Sequence, residues 1–121
     1  MKIKNRIRSF SYAFKGIALM FHHQPNFYIH LSLSTIALGL SYFLDLSRSE
    51  FLWIVLAIGL VLSAEIFNTA IEKLTDMVQP NQDSKAGNVK DLAAAAVLVS
   101  AFTALAIGLI IFIPRLIEFF Q

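Results

Sequence analysis

Apolar and polar positions alternate along this chain in four distinct patterns. From Met1 to His22 the apolar residues Ile3, Ile7, Phe10, Phe14, Ile17 and Phe21 recur at spacings of 4, 3, 4, 3 and 4. That rhythm builds one apolar stripe on a helix. Lys4, Arg8, Ser11, Tyr12 and Lys15 fall on the other side. A helix of this kind lies in a membrane interface, with its cations toward anionic headgroups. His22-His23-Gln24-Pro25 ends it, because a proline disfavours helical backbone at the residue before it. His22 and His23 carry little metal signal, since adjacent residues do not share a helix face.

Two of the remaining stretches lack an amphipathic period and are apolar all round. Phe27–Leu46 is long enough for a membrane span, which takes about 20 residues. Tyr28 and Tyr42 sit near its ends, as interfacial aromatics do. The polar turn Asp45–Glu50 follows, with Ser47 or Ser49 as a cap for the next helix. Leu92–Pro114 is a further span, opened by Lys90-Asp91 and closed by Pro114-Arg115, with Leu116–Phe120 as an interfacial tail.

The fourth pattern changes midway. Phe51–Ala64 is apolar, and Glu65–Asp76 follows with no Gly or Pro between them. On one continuous helix, with Glu65 at zero, Asn68 lies at about −60°, Glu72 at about −20°, Asp76 at about +20° and Thr69 at about +40°. One polar stripe therefore carries Glu65, Asn68, Glu72 and Asp76, opposite Ile66, Phe67, Ala70, Ile71 and Leu74. A helix over 51–76 would be about 39 Å long, enough to cross the hydrocarbon and emerge. Glu65 would then lie inside the far leaflet, Glu72 near the interface and Asp76 in water. A charge at bilayer depth costs about 3 kcal/mol on insertion scales, so it marks function by default.

Composition settles the class. Hydrophobic residues are 57% and charged residues 15% of 121, more apolar surface than a soluble domain of this size can hide. The absence of cysteine excludes disulfides and thiolate metal sites. Lys15 and the histidines interrupt the first apolar stretch, so no signal peptide is expected, and no lipidation motif is present. The expected fold is an all-α membrane protein, one domain over 1–121: a surface helix over 1–22, helices over 27–46, 51–76 and 91–114, and a hydrophilic loop over 77–90. Eight of the ten Lys and Arg lie on the side of the N-terminus and that loop, leaving Arg48 and Arg115 on the other. The positive-inside rule puts the N-terminus, the loop and the stripe on the cytoplasmic side.

Carboxylates beside lysines at a cytoplasmic surface suit a magnesium nucleotide, because Mg²⁺ is held by one or two carboxylates together with substrate phosphates. Phosphoryl transfer needs positioning, charge neutralisation and a base for the attacking hydroxyl. Glu65 lies where a lipid hydroxyl would sit, and Glu72 and Asp76 where a metal–phosphate group would enter from water. Two other readings compete. The stripe could be interhelical hydrogen-bonding glue, although four acidic or amide groups exceed what that needs. It could line an ion path, although Phe51–Ala64 offers little beyond Ser63 for the outer half.

At these residues the sequence resembles the prokaryotic diacylglycerol kinase family, which includes the undecaprenol kinases. Ala64-Glu65-Ile66-Phe67-Asn68-Thr69-Ala70-Ile71-Glu72-Lys73-Leu74-Thr75-Asp76 is similar to its Glu-x-x-Asn-[Ser/Thr]-Ala-Ile-Glu-x-x-x-Asp signature. Tyr12–Gly16, Asn26, Ile29, His30, Ala86, Lys90-Asp91 and Ala93–Val97 match further family positions. The resemblance implies a homotrimeric lipid kinase of the bacterial cytoplasmic membrane, with three spans and a surface helix per subunit and active sites between subunits. It implies ATP and Mg²⁺, and no nucleic-acid partner. By position, Glu65 would be the catalytic base and Glu72 a metal ligand. Tyr12, Asn68, Asp76, Lys90 and Asp91 would serve nucleotide and phosphate. Two positions depart from the pattern: Gln24 stands where a second metal-binding Glu is usual, and Asp83 where the loop usually has His. A neutral amide oxygen is a poorer Mg²⁺ ligand than a carboxylate. Gln24 also motivates the alternative of a non-catalytic nucleotide- or lipid-binding protein. The acceptor is open between undecaprenol and diacylglycerol, with Ala57–Ser63 and Asn68-Thr69 nearer the undecaprenol-kinase branch.

Overall fold

The computed structural model describes residues 2–22 and 24–121, so Met1 and His23 lie outside the described residues. All of its regular structure is helical: α1 (Lys2–Leu19), α2 (Pro25–Phe43), α3 (Arg48–Val78) and α4 (Ser84–Phe120). No residue of α1 is buried, in keeping with one amphipathic helix that finds no partner face within the chain.

The chain leaves α1 through a tight turn in which the N–H groups of Met20, Phe21 and His22 reach back three residues. Phe21 packs edge-on against Phe27 and Tyr28, and the Tyr28 hydroxyl donates to the Phe21 carbonyl at 2.7 Å. This aromatic knot fixes where α2 starts. Pro25 stands in its first turn, where the missing N–H costs nothing. α2 ends at Phe43, not at Leu46. Asp45 adopts φ 52°, and the N–H groups of Leu46 and Asp45 bond the carbonyls of Ser41 and Tyr42 at 3.1 and 3.2 Å. That is a Schellman motif, with aspartate in the left-handed position where glycine is more usual.

Ser47 caps α3 by accepting the Glu50 N–H at 3.2 Å. The helix then runs 31 residues to Val78 without interruption. It stops just before Pro80, as expected of that residue. The loop expected over 77–90 is corrected to a link over 79–83. Asp83 accepts the Ala86 N–H at 3.0 Å and starts α4 at Ser84, so Gly87, Asn88 and Lys90 are helical. Turn-favouring residues there are overridden by an N-cap and by the close α3–α4 contact. The far end is corrected likewise. α4 passes through Pro114 and continues to Phe120. Beyond Pro114, Arg115 reaches Glu50, and the Phe119 ring lies 5.1 Å from that of Phe43.

α3 and α4 form a long antiparallel hairpin, with α2 laid more lightly against α3. The buried side of α3 is a single row, Ile54, Ala57, Val61, Glu65 and Thr69. The buried residues of α4 are the small Ala93 and Ser100, and small residues let helix backbones approach closely. Large apolar side chains elsewhere stand outward, among them Phe14, Leu33, Phe67, Val99 and Phe102. Such a surface belongs in lipid or against another chain. α3 and α4 are long and apolar enough to cross a membrane. α2, at 19 residues, carries Asn26, His30 and several hydroxyls and does not meet that measure.

Candidate functional site

The buried row of α3 turns polar at Glu65, and the site is built from there toward the 79–83 link. Glu65 is 3% exposed and faces α2. Its Oε1 lies 3.1 Å from Nε2 of His30, which is itself mostly covered. One turn on, Thr69 is also buried, and among the described residues its hydroxyl has no hydrogen-bond partner. Asn68 donates from Nδ2 to Oε1 of Glu72 at 3.4 Å, while its buried Oδ1 is left without a partner. Unmet buried polar atoms are costly, so they are rare without a reason. At the water end, Asp76 of α3 pairs with Lys90 of α4. Extending α4 back to Ser84 is what brings Lys90 there: it stands in the second turn of a packed helix, facing α3.

Glu65, Asn68, Glu72, Asp76 and Lys90 thus lie on or beside one face of α3, over about 16 Å along its axis. The rest of the expected set is not drawn in. Tyr12 is 69% exposed on α1. Gln24 precedes α2 as its cap residue, and its side chain makes no capping bond. Asp91 is exposed and, among the described residues, makes no side-chain hydrogen bond or ion pair. Among the described residues no three His, Asp or Glu side chains gather into a metal-holding cluster. The donors suit a magnesium–phosphate group, not a bare cation. Glu72 offers a carboxylate, and phosphates would complete the shell.

Two contacts escaped the reading of the sequence. His30 looks like an interfacial or packing histidine, because nothing in α2 reveals which α3 residue it will meet. Glu50 and Arg115 form a two-pronged pair, with Nε and Nη2 of Arg115 donating to the two carboxylate oxygens at 3.0 and 2.9 Å. Sixty-five positions separate them. Only the hairpin geometry brings them together.

A groove of about 750 Å³ runs between α3 and α4 beside the stripe. Leu60, Phe67, Leu92, Ala96 and Val99 line it, and Asn68 is the one stripe residue on its wall.

Comparison with known proteins gives a consistent result. The family model described as prokaryotic diacylglycerol kinase matches residues 11–112, which include every residue of the stripe. The chain is 37% identical over 109 residues to an undecaprenol kinase of Bacillus subtilis, covering 90% of this chain and 89% of that protein. It is 32% identical over 115 residues to a diacylglycerol kinase of Synechocystis, covering 94% of this chain and 66% of the other. A diacylglycerol kinase of Haemophilus influenzae is 26% identical over 94 residues, 78% of this chain and 80% of that one.

Proposed function

We propose that this chain, which belongs to the prokaryotic diacylglycerol kinase family, is a membrane lipid kinase that transfers the γ-phosphoryl group of ATP to a lipid hydroxyl. The observation that carries this reading is the order of groups along α3. A buried carboxylate stands at the deep end, an amide–carboxylate pair in the middle and an ion pair at the water end. Lipid hydroxyl and nucleotide approach from opposite ends of such a row.

Glu65 accepts the proton of the acceptor hydroxyl, as a positioned general base does. The freed oxygen attacks the γ-phosphorus. One O–P bond forms, the bond to the β–γ bridging oxygen breaks, and ADP leaves with that electron pair. Asn68, Asp76, Lys90 and Asp91 serve the nucleotide and its phosphates. Glu72 would hold magnesium, with Gln24 at the position of a second ligand. Magnesium neutralises phosphate charge when bound. Burial of Glu65 against His30 keeps water from competing with the lipid hydroxyl.

Three spans per subunit remain part of the proposal, with the N-terminus and the 79–83 link cytoplasmic. In α2 the hydroxyls of Ser34, Thr35 and Ser41 are bonded to carbonyls of their own helix at 2.7–2.9 Å, which suits them to lipid. A homotrimer with shared sites accounts for the wide apolar surface and would supply Tyr12 to a neighbour's stripe. Undecaprenol is the leading acceptor, supported by the 37% identity to a kinase of that name. Diacylglycerol is the second reading, supported by the other two relatives.

The test is purified protein in lipid with γ-labelled ATP and both lipids assayed side by side. Labelled lipid phosphate is expected, with undecaprenol the better acceptor. Glu65→Gln is expected to abolish transfer, and full turnover by that variant removes Glu65 as the base. ATP binding without labelled lipid in the unaltered protein would instead favour the non-catalytic alternative.

A further inference from the structure

His30 has so far been given no part beyond covering Glu65, yet it is the closest polar neighbour of that carboxylate. Its Nε2 stands 3.1 Å from Oε1 of Glu65, with the two side chains 19% and 4% exposed. Among the described residues it is the only polar side chain in contact with Glu65, and theirs is the only polar side-chain contact between α2 and α3. The backbone at His30 is regular, and its carbonyl accepts the Ser34 hydroxyl at 2.7 Å, so the ring is carried by an undistorted helix.

We propose that His30 is a positioning residue for Glu65. The inference rests on the reading of Glu65 as the base. A carboxylate has two oxygens. His30 Nε2 stands against Oε1, which leaves Oε2 as the oxygen turned to the acceptor hydroxyl. Without that anchor a desolvated carboxylate seeks another donor. One is near: Thr69 lies one turn along the same face, and its buried hydroxyl has no partner among the described residues. Removal of His30 frees Glu65 to swing along α3 toward Thr69 and away from the hydroxyl it must deprotonate. A misplacement of about 1 Å costs on the order of 100-fold in rate. The nucleotide end of the stripe, Asp76 with Lys90, is untouched by this change.

The experiment compares His30→Leu, His30→Asn and His30→Gln with the unaltered protein and Glu65→Gln, in the same lipid, with helix content and assembly size checked. A glutamine amide reaches about as far as the imidazole Nε2, whereas asparagine stops short. His30→Leu and His30→Asn are expected to lower kcat about 10- to 100-fold while leaving the KM for ATP unchanged. His30→Gln is expected to restore most of the loss. Unaltered kcat in folded His30→Leu overturns the proposal, as does equal impairment by Asn and Gln. If His30→Leu does not fold, the Asn–Gln contrast decides. Full turnover by Glu65→Gln removes the base reading and this inference with it. An inactive Glu65→Gln beside a fully active His30→Leu removes the role of His30 alone.

Discussion

Asn68 and Glu72 show how much a single turn of helix can hold. They stand four residues apart, where helix side chains meet, and the amide nitrogen takes one carboxylate oxygen at 3.4 Å. That contact orients the amide, so its oxygen points away, buried and unpartnered. The pair therefore offers a metal the Glu72 carboxylate alone, and the second position expected to help carries Gln24. The consequence is measurable as a magnesium requirement. Glu72→Gln is expected to raise the magnesium concentration for half-maximal transfer about 10-fold or more. Gln24→Glu is expected to lower it. If magnesium titration gives the same midpoint for all three proteins, neither residue belongs to the metal site. Asn68, Glu72 and Asp76 were all legible in the sequence, because a helical repeat alone puts them on one stripe. His30 was not legible as a partner. Its contact depends on how far α2 is rotated and shifted against α3, which no local pattern encodes.

At the scale of elements, the caps decide where the chemistry falls. Asp83 accepts the Ala86 N–H at the start of α4. At the family position where histidine is usual, this chain thus has a residue whose evident task is local. Replacing an N-cap aspartate by alanine typically costs about 1 kcal/mol. Asp83→Ala is expected to lower the melting temperature and fray the first turn, while Asp83→Asn, another good cap, keeps both. Transfer activity at temperatures where both variants are folded is expected to stay near that of the unaltered protein. A loss of transfer in a fully stable Asp83→Asn would instead place its carboxylate in the chemistry. The same cap explains why the loop was overestimated from sequence. Asn81, Gln82, Asp83, Ser84, Gly87 and Asn88 all favour turns, yet one well-placed aspartate and packing against α3 convert the second half of the run to helix. Pro114 was overread for the same reason. A proline removes one helical bond, and the contacts of Arg115 and Phe119 beyond it keep the last turns in place.

At the scale of the whole molecule, the α3–α4 hairpin is tied by an ion pair at each end, Asp76 with Lys90 and Glu50 with Arg115. The second lies outside the apolar runs, on the side away from the candidate site. The Arg115 side chain, through its hydrogen bonds, holds the Glu50 carboxyl below its ordinary range. A group whose folded-state value is depressed stabilises the fold above its unfolded value, and that contribution is lost as pH falls through the folded value. The hairpin is accordingly expected to be most stable at neutral pH and to weaken below the usual carboxylate range. In thermal melts in lipid across that range, Glu50→Gln is expected to lower stability at neutral pH and to flatten the acid-side decline. Identical pH profiles for the two proteins would mean that the pair adds nothing beyond its packing.

The helices, their approximate limits, the membrane character and the stripe over Glu65–Asp76 follow from the sequence by itself. Each is set by composition or by a repeat of fewer than five residues, and those act locally. The alliance of His30 with Glu65, of Asp76 with Lys90 and of Glu50 with Arg115 was decided only by the tertiary structure. Those contacts need the register between helices, which no repeat within one helix encodes. An apolar helix read alone does not reveal which way its one histidine turns. Packed against its neighbour, it turns to the carboxylate at the centre of the site.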